Sequence, residues 1–238
     1  LTKKEIKLPK KSYLAAKRDK VNLPTKIPLN KEVLNLIGLY VAEGYSRKNV
    51  SKKGFYQVSF SASENEIRER IIKTMRKYFY LEPSDLNDDS IVYSSKLLYE
   101  LFVNILKCGS NAYEKRIPEL ILNLPQEKLR YFLQGYFDGD GSVSYSDSRV
   151  TCDSVAEGLL QDLEFCLRRY GIYNYRRKYT KKPGLQVRKF YIRKSREIPK
   201  FKITKIIIPS SFVKKFEQIG FISERKKKIL KEICSRNS

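Results

Sequence analysis

The chain contains no histidine and no tryptophan, and it has only one methionine. The absence of histidine excludes histidine general bases, histidine metal ligands and serine–histidine triads. Any acid–base or metal chemistry must therefore use carboxylates, lysine, tyrosine, hydroxyl groups or water. Four cysteines lie far apart without CxxC spacing, which favours free thiols in a reducing compartment over a zinc site. They are Cys108, Cys152, Cys166 and Cys234.

Long apolar runs are also absent. No run reaches 18 consecutive apolar residues, so no membrane-spanning helix is expected, and no secretory signal is visible. The chain begins at Leu1 rather than at methionine, which predicts a processed product or an excised segment. A composition rich in Lys, Glu, Ile and Tyr without Trp is typical of thermophiles.

Acidic residues are scarce relative to basic ones. The chain has 49 Lys+Arg against 26 Asp+Glu, which gives a net charge of +23. The excess covers both halves, because residues 1–125 hold 23 basic and 14 acidic side chains (+9) and residues 126–238 hold 26 and 12 (+14). Such a balance predicts a polyanionic partner. Nucleic acid is favoured over an anionic membrane, since no long basic amphipathic helix with an apolar Trp/Phe/Leu face is present.

Two short stretches of the chain repeat one pattern. LIGLYVAEG begins at Leu36 and LQGYFDGDG at Leu133, which places them 97 positions apart (133 minus 36). Each is followed by a predicted hairpin, an amphipathic helix, a strand and a further helix. The pattern predicts an α+β fold of two pseudo-symmetric αββαββα repeats with antiparallel sheets. The predicted boundaries are a basic N-terminal extension at 1–28, a first repeat at 29–124 and a second repeat at 125–238.

Each stretch ends on a carboxylate directly before a glycine, at Glu43 and at Asp140. Small residues four apart in both helices would allow close packing, so the two acids would meet at the end of the helix pair. Two buried carboxylates repel unless a cation lies between them, and a hard divalent ion suits oxygen ligands. Either acid alone could merely end a helix. Its repetition, against the unfavourable helix dipole, favours a functional pair.

These residues carry a resemblance to a known family. LIGLYVAEG and LQGYFDGDG resemble the two signature motifs of monomeric LAGLIDADG homing endonucleases. EKRIPELILNLP and FVKKFEQIGFISERKK resemble endonuclease domains within archaeal inteins, and the resemblance covers about residues 28–230. It implies a two-helix interface between the repeats and a monomer in the cytoplasm of an archaeon. The implied activity is metal-dependent, site-specific cleavage of double-stranded DNA at a long non-palindromic site, by phosphodiester hydrolysis.

The resemblance also implies a set of site residues. The implied catalytic residues are Glu43, Asp140, Lys115 and Lys226. Lys226 is paired with Lys115 because each lies six residues after a glycine, with Lys205 left open as a rival. The implied metal is Mg²⁺, or another divalent cation such as Mn²⁺, held by Glu43, Asp140, Ala42 and Gly139. Glu43 departs from the commoner Asp, and Asp138 is interpreted as a helix-end or packing residue.

Basic and aromatic residues are interleaved along the predicted hairpins, as a DNA-reading sheet requires. Alternate residues of a strand share a face, Arg and Gln can contact base edges, and Lys contributes phosphate affinity. The candidates in the first repeat are Arg47, Lys48, Lys52, Tyr56, Gln57 and Ser59. The candidates in the second repeat are Ser144, Tyr145, Arg149, Arg176, Lys178, Gln186 and Arg188.

Other functions remain open at this point. A LAGLIDADG-type protein could bind RNA as a maturase or bind DNA without cutting it, although both motif acids and Lys115 favour cleavage. Protein splicing in the usual way is excluded, because the chain lacks the histidines that it uses. A purely structural scaffold would leave the paired acids unexplained.

Overall fold

A computed structural model of the protein describes residues 13–16, 19, 22–49, 54–182 and 200–236. Near the N-terminus, β1 (Tyr13–Leu14) and β2 (Leu23–Pro24) pair antiparallel. The side chain of Leu23 is buried, and Asp19 accepts hydrogen bonds from Ser95 Oγ at 3.0 Å and Leu97 N at 3.1 Å. The described part of the extension is therefore docked on the first repeat.

The first repeat begins with a buried helix, α1, over Lys31–Glu43. Asn30 starts it by accepting a hydrogen bond from Val33 N at 3.1 Å, as its N-cap position predicts. The elements that follow are β3 (Gly44–Asn49), β4 (Phe55–Ser61), α2 (Asn65–Phe79), β5 (Asp85–Asn87), β6 (Ser90–Ser94) and α3 (Lys96–Tyr99), which continues as a π-helix over Glu100–Ile105. The strands form an antiparallel sheet in the order β3-β4-β6-β5.

The second repeat follows a short helix, α4 (Glu119–Leu122). Its elements are α5 (Gln126–Gly139), β7 (Gly141–Ser144), β8 (Arg149–Ser154), α6 (Glu157–Arg169), β9 (Tyr175–Lys181), β10 (Phe201–Ile208), α7 (Ser210–Phe216) and α8 (Glu224–Arg236). The sheet has the matching antiparallel order β7-β8-β10-β9. The predicted pair of αββαββα repeats is confirmed, and α8 is an addition that the sequence interpretation did not include.

Helices α1 and α5 pack main chain against main chain, in a contact that we call the seam. A Cβ atom at Gly38 would lie 2.1 Å from Phe132 O, and one at Gly135 would lie 2.1 Å from Asn35 O. These distances leave no room for a side chain, so glycine is required at both positions. The prediction that small residues bring the two helices together is confirmed.

The hydrophobic core is one cluster that includes residues of both repeats. It lies between the seam, the remaining helices and one face of each sheet. Among the described residues, most side chains on the other face of each sheet keep exposed surface, and we call it the open face. All four cysteines are buried, and none forms a disulfide. No helix of the described residues is long and apolar enough to cross a membrane.

Candidate active site

The two motif acids lie together where the seam ends. Glu43 is the last residue of α1, and Asp140 directly follows α5. A Cβ atom at Gly139 would lie 2.6 Å from Ala42 Cβ and 3.2 Å from Glu43 Cγ, so the last turns of the two helices touch. The expectation that the acids meet at the end of the helix pair agrees with this placement.

Glycine is required at position 44 because the main chain of Tyr40 lies very close to it. Its φ of −80° is available to any residue, but a Cβ atom would lie 2.4 Å from Tyr40 O. The chain therefore turns directly from α1 into β3 with no space for a side chain. This tight turn fixes Glu43 at the junction of the helix and the sheet.

The electrostatics of the two acids match a cation site. Burial raises the pKa of Glu43, while Lys226 and Lys115 oppose the rise. Burial and then the charge of Glu43 raise the pKa of Asp140 well above its usual range. Both shifts show that neither carboxylate is fully compensated by the protein. The oxygen atoms of this pair have the chemistry that Mg²⁺ or Mn²⁺ prefers.

The protein offers only part of a coordination shell. Among the residues that the structure describes, no cluster of three or more His, Cys, Asp or Glu side chains could hold a metal ion. A cation at this position would take two carboxylates from the chain and the remainder from main-chain carbonyls, water or substrate. Such a mixed shell is usual for Mg²⁺ bound beside phosphates.

Lys115 is buried beside α1, with 3% of its surface exposed. Its Nζ donates to Tyr40 O at 2.7 Å and lies 3.8 Å from the centre of the Tyr40 ring. Burial lowers the pKa of Lys115 to about 8, against the opposing effect of Cys108, Asp140 and Glu43. Tyr40 is itself held, because its hydroxyl donates to Gly109 O at 2.9 Å.

Lys226 is held in the equivalent way beside α5. Its Nζ donates to Phe137 O at 3.1 Å, to Asp138 O at 2.6 Å and to Gly141 O at 2.7 Å. Phe137 precedes Asp140 by three residues, as Tyr40 precedes Glu43, so both lysines bind the same turn of their helices. Burial lowers the pKa of Lys226 as well.

Lys205, the rival to Lys226, occupies a different place. It lies in β10 opposite Asp153 of β8, and its Nζ is 3.7 Å from Asp153 Oδ1. Register makes Ser90 of β6 its counterpart in the first repeat, since Ser90 faces Ser61 as Lys205 faces Asp153. The geometry therefore pairs Lys115 with Lys226.

Both motif acids feel the charge of both lysines. Lys226 and Lys115 each oppose the raised pKa of Glu43, and Lys115 and Lys226 each oppose that of Asp140. A cavity of about 450 Å³ has both Glu43 and Lys226 in its lining. This cavity brings together one acid and one lysine from opposite repeats.

Asp138 has a structural environment, in agreement with its interpretation as a packing residue. It is 1% exposed, and its Oδ2 accepts from Arg70 Nη2 at 2.8 Å. Its Oδ1 accepts from Ile222 N at 3.1 Å and Ser223 N at 3.2 Å. Both of its carboxylate oxygens therefore accept hydrogen bonds from the protein.

The candidate DNA-contacting residues of the first sheet divide between its two faces. Arg47 lies opposite Gln57 on the open face and donates to it at 2.7 Å, and Ser59 shares that face. Lys48 lies opposite Tyr56 on the other face, where the Tyr56 ring packs at 5.3 Å on that of Tyr99 in α3. The register therefore corrects the interpretation that all of them can face one groove.

The second sheet shows the same division. Ser144 and Arg149 lie opposite each other on its open face, and Tyr145 follows in the turn with 40% of its surface exposed. Arg176 lies on the helix side, where its Nε donates to Glu164 of α6 at 2.7 Å. Lys178 shares that side, because residues two apart in a strand point the same way. These two placements correct the prediction that Arg176 and Lys178 face the DNA.

Sequence reasoning missed several residues of the open faces. In β9 the alternation places Tyr175, Arg177 and Tyr179 there, with Lys205 opposite Arg177. The acidic residues of α6 were the signal that could have shifted the choice from Arg176 to Arg177. Lys52, Gln186 and Arg188 lie outside the described residues.

Comparison with known proteins agrees with this geometry. A family profile described as a LAGLIDADG-like domain matches residues 127–220. The structure of the homing endonuclease I-DmoI in complex with DNA and Mn covers 81% of this chain and 97% of its own, with a TM-score of 0.54 and 15% identity. The homing endonuclease I-WcaI, bound to its DNA recognition sequence, covers 87% of this chain and 88% of its own, with a TM-score of 0.51 and 16% identity. The protein has the LAGLIDADG homing-endonuclease-type fold.

A curated relative that matches nearly all of this chain is much longer than it. The DNA polymerase II large subunit of Thermococcus kodakarensis is 37% identical over 246 residues. That match takes in 96% of this chain but only 13% of the relative's length.

Proposed function

We propose that the protein is a site-specific endonuclease that cleaves both strands of a long, non-palindromic DNA site with the help of a divalent cation, Mg²⁺ or Mn²⁺. One observation carries the proposal: Glu43 and Asp140 adjoin at the end of the seam, and Lys115 and Lys226 are held at matching carbonyls beside them. A pair of equivalent acid–lysine sets suits two cuts, one in each strand of a duplex.

The carboxylates would hold the cation, together with main-chain oxygens of Ala42 and Gly139. When bound, a divalent ion lowers the pKa of water and stabilises charge on a leaving oxygen. Glu43 and Asp140 supply fixed negative charge that positions it. No histidine is required for this chemistry, in agreement with the composition.

The lysines would stabilise negative charge on the scissile phosphates. Each ammonium group is buried and held by carbonyl oxygens, so its position is set before DNA binds. Charge that is prepositioned in this way stabilises a transition state without reorganisation. We assign Glu43 and Lys226 to one cut and Asp140 and Lys115 to the other.

The open faces of the two sheets would contact the duplex. Arg47, Gln57 and Ser59 contribute from the first sheet, and Ser144, Tyr145, Arg149 and Arg177 from the second. The net charge of +23 supports binding to phosphates, which predicts affinity that falls steeply with salt. Because the two sheets differ in sequence, we propose a target without two-fold symmetry and a protein that acts as a monomer.

We further propose that the chain is an endonuclease segment inserted in a longer host protein, as in inteins. Support comes from the relative that matches nearly all of this chain along 13% of its length. The boundaries of the two repeats, at 29–124 and 125–238, are part of the proposal. So is an intracellular, archaeal setting.

The test is selection of cleavage sites from a randomised duplex library with Mg²⁺, alongside Glu43→Gln and Asp140→Asn. We expect the wild type to release a discrete set of sites and each variant to lose about 100-fold or more in cleavage rate. Both variants should still bind the selected duplex in gel shifts. A wild type that binds a duplex tightly and cuts nothing with Mg²⁺ or Mn²⁺ would overturn the nuclease proposal in favour of a binding function.

A further inference from the structure

Two residues at equivalent positions of the two repeats carry opposite charges. Arg70 lies in α2 and Asp162 in α6, five residues after the first residue of each helix. The buried residues agree with this match, since Ile67 and Ile71 correspond to Leu159 and Leu163. Both Arg70 and Asp162 form ion pairs that join one repeat to the other.

Asp162 holds the chain directly after Lys115. Its Oδ2 accepts from Arg116 Nε at 2.7 Å and from Ile117 N at 3.1 Å, and its Oδ1 accepts from Arg116 Nη2 at 2.9 Å. The side chain of Asp162 is 8% exposed, whereas that of Arg116 is 55% exposed, so the buried carboxylate is held from the solvent side by an arginine that water reaches. A carboxylate of the second repeat thus fixes the main chain next to the lysine of the first.

Arg70 acts on the other lysine through Asp138. It donates to Asp138 Oδ2 at 2.8 Å, and the side chain of Asp138 has no exposed surface. Asp138 Oδ1 in turn accepts from the amides of Ile222 and Ser223, which lead into the helix that carries Lys226. A guanidinium group of the first repeat thus fixes the approach to the lysine of the second.

Stability alone is a weak reason for such pairs. Removing the charges of Arg70 and Asp138 from water costs several kcal/mol per ion, and buried ion pairs often contribute little net stability. The Arg116–Asp162 pair is screened by water, because Arg116 is 55% exposed, and screened pairs also contribute little. Arg70 retains two buried nitrogens, Nε and Nη1, without an acceptor among the described residues. The positions that the two pairs impose on the neighbouring main chain explain their presence better than stability does.

We infer that Arg70 and Asp162 are positioning residues, each setting the placement of the lysine that belongs to the opposite repeat. Asp162 serves Lys115 and the cut assigned to Asp140, whereas Arg70, through Asp138, serves Lys226 and the cut assigned to Glu43. This inference rests on the proposed endonuclease function for its kinetic consequence. The fixing of the main chain by Arg70 and Asp162 is independent of that function.

The experiment measures cleavage of each strand separately, on a selected duplex labelled at either 5′ end. Arg70→Met should slow the strand that Lys226→Met slows, by about 10-fold, and leave the other strand unchanged. Asp162→Asn should slow the strand that Lys115→Met slows, to a similar extent. Arg70→Lys should restore most of the loss, because it keeps a donor for Asp138. Arg76→Gln, which breaks the exposed pair with Glu82, is the control and should change neither strand.

Double variants separate positioning from general weakening. Lys226→Met with Arg70→Met should be no slower than Lys226→Met alone, whereas Lys226→Met with Asp162→Asn should show each single-variant loss unchanged on its own strand. Equal slowing of both strands by Arg70→Met or by Asp162→Asn would overturn the inference. So would multiplicative losses for Lys226→Met with Arg70→Met.

Amide hydrogen exchange provides a readout without activity. Asp162→Asn should speed exchange at Ile117 but not at Ser223, and Arg70→Met should do the reverse. If the wild type cuts no DNA, the proposed function fails, but this exchange pattern still tests whether Arg70 and Asp162 fix the main chain beside the two lysines. Unchanged exchange at both amides would overturn it.

Discussion

The two repeats share a main-chain frame but differ in the side chains around it. Lys115 donates to one carbonyl and lies over the Tyr40 ring, whereas Lys226 donates to three carbonyls. Beside Asp140 the open face carries Asp153 and Lys205, and the matching pair in the first repeat is two serines. The comparison teaches that the main chain preserves the placement of the lysines while the surroundings of each half diverge.

The largest expected effect concerns the seam, where the repeats are most alike. Gly38→Ala and Gly135→Ala would each place a Cβ atom 2.1 Å from a carbonyl oxygen of the partner helix. Because main-chain atoms on both sides cannot move independently, each variant should lose about 3 kcal/mol or more of unfolding free energy. Urea unfolding followed by circular dichroism measures the loss.

Gly158→Ala is the matched control, since its Cβ would lie 2.8 Å from Cδ of the Arg116 side chain, which can turn aside, and would not meet main chain. Because Arg116 also pairs with Asp162, this control applies to stability and not to cleavage. It should change the unfolding free energy by no more than about 1 kcal/mol. Clearly unequal losses of unfolding free energy for Gly38→Ala and Gly135→Ala would contradict the prediction that the seam is symmetric.

The next effect separates the two lysines. Lys115→Met and Lys226→Met should each slow one strand by about 100-fold, on opposite strands. Lys226→Met should also cost more stability, because it leaves three carbonyl acceptors without the ammonium donor. Strand-resolved cleavage and thermal unfolding check the two statements. Lys205→Met is the control, and a loss as large as that of Lys226→Met would restore Lys205 as the rival.

A smaller effect compares the two acids through pH. A carboxylate whose pKa is raised on folding favours the protonated folded state, so ionisation destabilises the protein as pH rises past the unfolded pKa. Asp140→Asn removes this cost and should add on the order of 1 kcal/mol of stability at pH 7 in EDTA. The gain should vanish below the unfolded pKa of Asp, near pH 4.

Glu43→Gln should show a gain of the same sign, since the pKa of Glu43 is also raised. Urea unfolding at the two pH values measures both gains. Divalent cation should stabilise the wild type more than Asp140→Asn, because binding to the folded state raises its stability. Asp140→Asn that is less stable than the wild type at pH 7 in EDTA would contradict the uncompensated carboxylate pair.

The smallest effect tests the faces of the sheets. Arg177→Ala should weaken duplex binding and reduce the slope of log affinity against log salt by about 1, as should Arg47→Ala in the first repeat. Arg176→Ala should leave the salt slope unchanged, because that side chain pairs with Glu157 and Glu164 of α6. Binding titrations at several salt concentrations check this, and a reduced slope for Arg176→Ala would place it on the DNA.

Local patterns were sufficient to predict the frame of the site. The spacing of Gly38 and Ala42, repeated in Gly135 and Gly139, predicts the seam because small residues four apart lie on one helix stripe. The glycine-to-lysine spacing predicts the pair Lys115 and Lys226. Both features depend on a few neighbouring residues, and their repetition distinguishes them from coincidence.

Features that depend on long-range pairing could not be predicted in this way. The alternation of a strand shows that Arg176 and Arg177 lie on opposite faces of the sheet. Only the packing against α6 determines which of the two residues lies on the open face. The contact of Asp162 with Arg116 joins residues 46 apart (162 minus 116), and nothing in the local sequence at either end indicates it. The repeat pattern ends with α7, so it predicts no counterpart of α8 although the predicted second repeat runs to residue 238.

The seam has a consequence for the history of the chain. Helices α1 and α5 meet through main-chain carbonyls and glycines, so their contact does not depend on the side chains of the sheets on either side. Mutations that alter one sheet therefore need no compensating change in the other. A duplicated ancestor joined in this way could acquire a new recognition surface in one half while the other half kept its own. The same independence makes the seam a rational crossover point for recombining halves of different specificity, provided that the Arg70–Asp138 and Arg116–Asp162 pairs, which also join the repeats, are kept.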